Sequence, residues 1–348
     1  MAQIRAVLCG YYGKGNGGDE ALLATLLQML PKTVTPIVLS GNCSETRQRY
    51  GVQVGDRMSA LRVFQALQRS DVFIWGGGSL IQDTTSAISP LYYAGLMGMA
   101  QRLGLKTIAW AQGIGPLNRN FTRKIAKAAF TGCDAVSVRD RGSAQLLAEW
   151  QIPNVIAPDP VWALAGKPPK GVGDLPAPRV AICLRPHPQL TPERLNTLIQ
   201  ALKLFQTATD TFLLLLPFQA ASDLTIAQQI HSQIPDHSKI VSLTDPRELK
   251  GVFEGIEMAI AMRYHALIMA AGAKSQCFAL SYDPKVSQLM AEYEIPGWEL
   301  SQLPEAASDI AQTWIERYAN PSAFDKTQLQ AIIDRAKIHQ ELLHSVLS

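Results

Sequence analysis

The stretch Ile4-Arg-Ala-Val-Leu-Cys-Gly-Tyr-Tyr-Gly-Lys-Gly-Asn-Gly-Gly-Asp-Glu-Ala-Leu-Leu23 decides the fold class. It opens with a short, nearly continuous apolar run, breaks at a glycine-rich turn, and enters a helical pattern over Glu20–Leu30. Apolar runs of this kind suit strands buried on both faces of a parallel sheet. The same unit recurs along the first half at Pro36–Leu39, Val72–Trp75, Thr107–Ala111, Ala135–Val138 and Val155–Ala157, with a helical stretch at Arg123–Phe130. Alternating strand and helix signals predict an α/β doubly wound domain over residues 1–165.

A Pro- and Gly-rich stretch without apolar periodicity reads as a linker over 166–178. Strand signals resume at Val180–Leu184, Phe212–Leu216, Ile240–Leu243, Met258–Ala261 and Cys277–Leu280, predicting a second α/β domain over 179–324. The uncharged segment Thr84–Gln101 reads as a buried helix rather than a membrane span. Residues 325–348 carry apolar positions near helical spacing and predict one C-terminal helix packing back on the domains. Two such domains facing across a cleft place ligands at the carboxyl ends of the strands.

Composition narrows the function. The chain has 348 residues, 47% hydrophobic and 18% charged, which excludes disorder and fits two domains. With 32 Lys and Arg against 29 Asp and Glu, its charge is too balanced for a dedicated nucleic-acid binder. Five scattered Cys with no C-x-x-C pair predict neither a disulfide framework nor a zinc site, and suit a reducing cytoplasm. The apolar stretch at the N-terminus is too short for a signal peptide.

The turns after the strands hold the candidate site. Gly15-Asn16-Gly17-Gly18-Asp19 lets backbone approach a ligand at a helix N-terminus, or is simply a turn capped by Asp19. It has neither the dinucleotide nor the P-loop spacing. Gly77 and Gly78, in Trp75-Gly-Gly-Gly-Ser79, suit close approach of a substrate or of a helix. Gln112-Gly-Ile-Gly-Pro116 reads as a similar turn. Arg139 ends an apolar strand, where a guanidinium either binds an anion or pairs with Asp140 or another acid. Arg141 falls on the first turn of the following helix. Arg263 and His265 lie where a strand ends and a helix begins, and Lys285 starts the helix after the last strand. The other histidines, 187, 231, 237, 339 and 344, fall in loops or on polar helix faces, and only His187 follows a strand.

In order, Gly15-Asn-Gly-Gly-Asp-Glu-Ala21, Trp75-Gly-Gly-Gly-Ser79, Gln112-Gly-Ile-Gly-Pro116, Ser137-Val-Arg-Asp140, Met262-Arg-Tyr-His265 and Tyr282-Asp-Pro-Lys285 resemble the polysaccharide pyruvyl transferases. The nearest type is CsaB, which acts on cell-surface glycans. The resemblance implies a GT-B-like pair of Rossmann-like domains. It implies transfer from phosphoenolpyruvate to two hydroxyls of one sugar, forming a pyruvate ketal, with no further cofactor and no metal. For the CsaB type it implies a lipid-linked saccharide acceptor on the cytoplasmic side, hence a cytoplasmic protein working at the inner face of the membrane. Residue by residue, the family's important His falls on His265, its nearby basic residue on Arg263, its strand-end Arg on Arg139 and its downstream Lys on Lys285.

From the chemistry, phosphoenolpyruvate needs fixed cations, a role for Arg139, Arg263 and Lys285. His265 suits alternating acid and base work near neutral pH, with Asp19 the second catalytic candidate. The basic cluster Arg119, Arg123, Lys124 and Lys127 reads as a solvated face, or as a surface drawn to an anionic membrane. Two other readings stay open: a GT-B glycosyltransferase using a nucleotide sugar, and a non-catalytic glycan- or phosphate-binding protein.

Overall fold

The computed structural model describes residues 3–84, 88–321 and 324–348. The chain forms two compact units. The first takes in Met1–Lys14, Asp19–Leu164 and Gln330–Ser348; the second takes in Gly15–Gly18 and Ala165–Leu329.

The first unit begins β1 (Ile4–Cys9), α1 (Gly17–Met29), β2 (Val34–Ser40), α2 (Cys43–Tyr50), β3 (Gln53–Asp56) and α3 (Ala60–Gln68). It continues β4 (Val72–Trp75), β5 (Gly78–Ile81), α4 (Ile88–Arg102), β6 (Lys106–Ile114) and α5 (Asn120–Thr131). It then adds β7 (Ala135–Val138), α6 (Arg141–Glu149) and β8 (Val155–Ile156). The strands form one sheet in the order β3-β2-β1-β4-β6-β7-β8, with β5 beside β6, and every pairing is parallel. Successive strands buried on both faces explain the continuous apolar runs: all four residues of Val72–Trp75 are buried. One face packs against α3, α4, α5 and α6 through Leu67, Met97, Phe130 and Leu147; the other packs against α1 through Leu23 and Leu26.

The second unit holds β9 (Arg179–Cys183), α7 (Pro192–Thr209), β10 (Phe212–Leu215), α8 (Ala220–Gln233), β11 (Ser238–Ile240) and α9 (Pro246–Phe253). It continues β12 (Met258–Ala261), α10 (Tyr264–Gly272), β13 (Gln276–Ser281), α11 (Pro284–Tyr293), β14 (Gly297–Glu299) and α12 (Ala307–Ala319). Its parallel sheet runs β11-β10-β9-β12-β13-β14, the 3-2-1-4-5-6 order of a Rossmann sheet. Helix starts are written locally: Thr191, Asp245 and Asp283 each cap a helix whose first residue is Pro.

Several details differ from the sequence reading. Gln112-Gly-Ile-Gly-Pro116 is not a turn, because β6 continues through Ile114 and only then bends. The third strand of the second half lies at Ser238–Ile240, not Ile240–Leu243. The expected buried helix at Thr84–Gln101 begins at Ile88, with residues 85–87 outside the described residues, and one face of it is exposed. The C-terminal segment is two helices, α13 (Lys326–Ala336) and α14 (Ile338–Leu347), broken at Lys337. Beyond the break, Leu343 and Leu347 join the first unit's core, and His339 is buried rather than on a polar face. Stretch 166–178 has no helix or strand and lies on the second unit, where Lys167 N donates to Arg247 O at 2.9 Å. Cys9, Cys183 and Cys277 lie in strands, but Cys133 sits in the turn before β7 and Cys43 opens α2. Among the described residues no helix is long and apolar enough to cross a membrane.

Candidate active site

In each sheet the strand order reverses once: between β1 and β4 in the first, between β9 and β12 in the second. Connections on either side of such a point leave to opposite faces, opening a crevice at the carboxyl ends of those two strands. Gly15–Asp19 follows β1, the three glycines 76–78 follow β4 and Arg263 and His265 follow β12, while Arg139 follows β7 and Lys285 follows β13.

In the second unit, α10 starts directly after β12, with Arg263 at its cap position and His265 as its second residue. The His265 ring meets Tyr264 edge-on, centroids 5.2 Å apart, and also packs against Gly18. A Cβ on Gly18 would stand 2.2 Å from His265 Nδ1, so only glycine admits the ring at this position. The Gly15–Gly18 segment is held by backbone. Gly17 N donates to Phe218 O at 2.7 Å, and Asn16 bridges Gln219. Asn16 Oδ1 accepts from Gly18 N at 3.0 Å, so Asn16, not Asp19, fills the cap of α1. Gly15 has φ +68°, a left-handed conformation that favours glycine, and a Cβ there would meet nothing within 4 Å among the described residues.

Arg263 is buried, and its fork is taken. Nε donates to Asp223 Oδ2 at 3.1 Å, while Nη2 donates to Asp223 Oδ1 and to Ser222 Oγ. Lys285 is more open; its Nζ lies 3.2 Å from Asp283 Oδ2 with both side chains partly exposed. The residue that sequence reasoning missed here is Arg185, two residues past the end of β9. Its Nη1 donates to Tyr282 Oη at 2.9 Å, its guanidinium stacks 5.1 Å from the Tyr282 ring, and among the described residues it has no carboxylate partner. His187 packs on the same ring at 4.7 Å; partial burial and the Arg185 charge hold its imidazole below the usual histidine range. The signal was available: Arg185 is a cation at the end of an apolar strand, as Arg139 is.

In the first unit, Asp19 is in the first turn of α1, and Gly78, at φ +125°, faces it. A Cβ there would lie 3.3 Å from Asp19 Oδ1. Gly77 has a packing reason, since its Cβ would meet Leu22 Cδ2 at 2.8 Å and Ala111 O at 3.2 Å. Arg139 is buried in an ion pair: Nη1 donates to Asp159 Oδ2 at 2.7 Å and Nη2 to Ser79 Oγ at 3.1 Å. Asp140 caps α6 instead, accepting from Ser143 N at 2.7 Å. Arg57, just past β3, was also missed. It donates to Gly10 O and to Tyr93 Oη inside a cage of the Tyr11, Tyr92 and Tyr93 rings, and so shapes the turn that follows β1. No local pattern announces it.

The structure therefore brings together Gly17, Gly18 and His265 in the second unit, and Asp19 with Gly78 in the first. It gives Arg139, Arg263 and Lys285 a carboxylate each. Among the described residues no group of three or more His, Cys, Asp or Glu side chains is placed to hold a metal ion.

The fold is shared with solved nucleotide-sugar enzymes. The UDP-GlcNAc 2-epimerase of Methanocaldococcus jannaschii superposes with a TM-score of 0.67 at 10% identity, over 98% of this chain and 99% of that one. The UDP-GlcNAc 2-epimerase from Neisseria meningitidis bound to UDP-GlcNAc gives 0.65 at 9%, over 98% and 100%. Anabaena HepE in complex with UDP-glucose gives 0.59 at 11%, over 99% and 98%. At these identities the likeness concerns the fold alone, two Rossmann-like α/β units of the GT-B kind. No curated protein matches the chain. The family model described as polysaccharide pyruvyl transferase matches residues 16–284. That span covers most of the sequence and encloses Gly17, Gly18, Arg139, Arg263 and His265, so the chain belongs to the polysaccharide pyruvyl transferase family.

Proposed function

We propose that the protein transfers the enolpyruvyl group of phosphoenolpyruvate to two hydroxyls of one sugar in a cell-surface polysaccharide precursor, in the manner of the CsaB type. The observation that carries this reading is His265, fixed against Gly18 at the start of α10, within a family match that names the reaction class.

The donor is an anion with a phosphate and a carboxylate. The N-terminal end of α10 favours negative charge. Arg185, Arg263 and Lys285 stand after β9, β12 and β13, adjacent strands about 4.8 Å apart. Since Asp223 occupies Arg263, its part in this reading is to hold the start of α8, next to the Phe218 carbonyl that binds Gly17, leaving Arg185 and Lys285 to meet the anion. Arg139, bound to Asp159, orders the first unit's strand ends around Ser79.

The reaction balances as follows. A proton adds to the methylene carbon, the double bond's electrons forming the new C–H bond and leaving an oxocarbenium centre. One sugar hydroxyl attacks that centre and loses its proton to a base. Phosphate leaves with its bonding pair, and the second hydroxyl closes the ketal, its proton ending on phosphate. His265 takes the acid and base role, worth about 10²- to 10⁴-fold in rate. Asp19 is assigned to the acceptor hydroxyls.

The test is phosphate release from phosphoenolpyruvate by the purified protein with a panel of lipid-linked and nitrophenyl glycosides. Release that depends on the acceptor, with a product heavier by one pyruvyl ketal, is expected. Turnover of a nucleotide sugar by the same sample, with no phosphate released, would replace this reading by a glycosyltransferase.

A further inference from the structure

We propose that the first unit docks on an anionic lipid surface through the N-terminal ends of α3, α4 and α5. In a parallel sheet each helix begins where the preceding strand has ended, so these three ends share one edge, and all three helices cover the same sheet face. That edge is apolar where a soluble surface is ordinarily polar. Met58 is 76% exposed, Leu61 67%, Ile88 73% and Phe121 63%, with Leu91 beside them at 37%. Of eleven exposed large hydrophobic side chains among the described residues, these five lie at the three helix starts; Phe64 follows on α3, Met99 and Leu103 fall at the opposite end of α4, and Tyr11, Ile156 and Leu204 lie elsewhere. Scattered exposed apolar residues need no explanation, but five at the helix starts along one edge of one sheet face do.

Charge names the occupant. Helices α3, α4 and α5 contain no Asp or Glu in 36 residues, where the chain's density of 29 in 348 would place about three. Arg62, next to Leu61 in the chain, and Arg119 and Lys124, on either side of Phe121, are exposed. The acids that precede these helix starts in sequence are engaged. Asp83 is buried and accepts from Asn118 N, Arg119 N and Thr122 Oγ1, and Asp56 accepts from Met58 N. Arg123 drops out of the cluster because it pairs with Glu149 at 2.7 Å. A second copy of this face would set cation against cation. An acidic headgroup layer instead takes the charges, while Phe121, Ile88, Leu61 and Met58 enter the acyl boundary, as interfacial segments do. This inference stands apart from the donor chemistry.

The experiment is flotation of the full chain with vesicles of phosphatidylcholine alone or mixed with phosphatidylglycerol, across a salt series. Binding to the mixed vesicles alone, weakening with salt, is expected. Arg119→Gln and Lys124→Gln should each lower the affinity about fivefold. Phe121→Ser with Ile88→Ser should abolish binding while circular dichroism, Tm and activity on a soluble acceptor stay unchanged. Three outcomes overturn the proposal: no flotation with either vesicle, equal flotation with both, or binding untouched by the Phe121 and Ile88 changes. Self-association that those two changes dissolve, without vesicle binding, assigns the face to a second copy instead.

Discussion

Gly18 and His265, 247 positions apart in the chain, are in direct contact: the absent Cβ of Gly18 would lie 2.2 Å from His265 Nδ1. Gly18 is in the first turn of α1 and outside the left-handed region, so alanine there would cost nothing in backbone strain and would favour the helix. The three atoms nearest that Cβ all belong to the imidazole. Gly18→Ala must push the ring by more than an ångström, a displacement able to cost about 10²-fold in rate. The expected result is a large fall in kcat with Tm unchanged or raised. Steady-state kinetics and thermal unfolding of the one variant check both halves, and a wild-type kcat would detach His265 from the chemistry.

Arg185 separates donor binding from turnover. Losing one hydrogen bond to a charged group costs about 10- to 100-fold in affinity. Arg185→Ala should therefore raise KM for phosphoenolpyruvate by that factor, while His265→Ala should lower kcat with KM little changed. The same shift in both variants would mean that the two side chains do not divide these roles.

The strand ends that carry Arg139 and Arg263 are legible in the sequence, since each follows an apolar run. Their partners are not. Asp159 lies 20 positions from Arg139 and Asp223, in the first turn of α8, lies 40 from Arg263, each in the same unit as its partner, and no local spacing links them. Central strands read well for the same reason that edge strands do not. Val72–Trp75 is buried on both faces, whereas β3 at the sheet edge is Gln53-Val-Gly-Asp56 and β14 is Gly297-Trp-Glu299. β5 opens on Gly-Ser, so in the sequence it is continuous with the glycine run that precedes it. Gly18 shows the limit from the other side: the motif is visible, but its reason is a ring brought from the second half of the chain.

The Arg139–Asp159 pair is almost wholly buried, with side chains 5% and 0% exposed. Removing one charge leaves the other uncompensated, at a cost of about 3–5 kcal/mol. Asp159→Ala should lower the unfolding free energy by that amount in a denaturant titration. Arg139→Met together with Asp159→Leu should lose much less. A double variant no more stable than Asp159→Ala would mean that the ion pair itself, and not the stranded charge, holds this part of the fold.

His339 makes stability depend on pH. Its ring is fully buried, Nε2 donating to Pro158 O at 3.1 Å and Nδ1 lying 2.9 Å from Ser137 Oγ, whose hydroxyl donates to it. Burial lowers its pKa from 6.5 to about 4. Between those values the unfolded chain binds a proton that the folded chain refuses, so unfolding is favoured as pH falls. The contribution is fully present above the unfolded pKa and is lost on acidification towards pH 4, about 3 kcal/mol in all. Carboxylates add their own acid sensitivity, so the informative quantity is the difference between the wild type and His339→Gln, whose amide can still donate to Pro158 O. That variant should be less stable at pH 8 yet lose less stability between pH 6.5 and 4. Parallel stability curves for the two proteins over that range would show that His339 is already protonated in the fold.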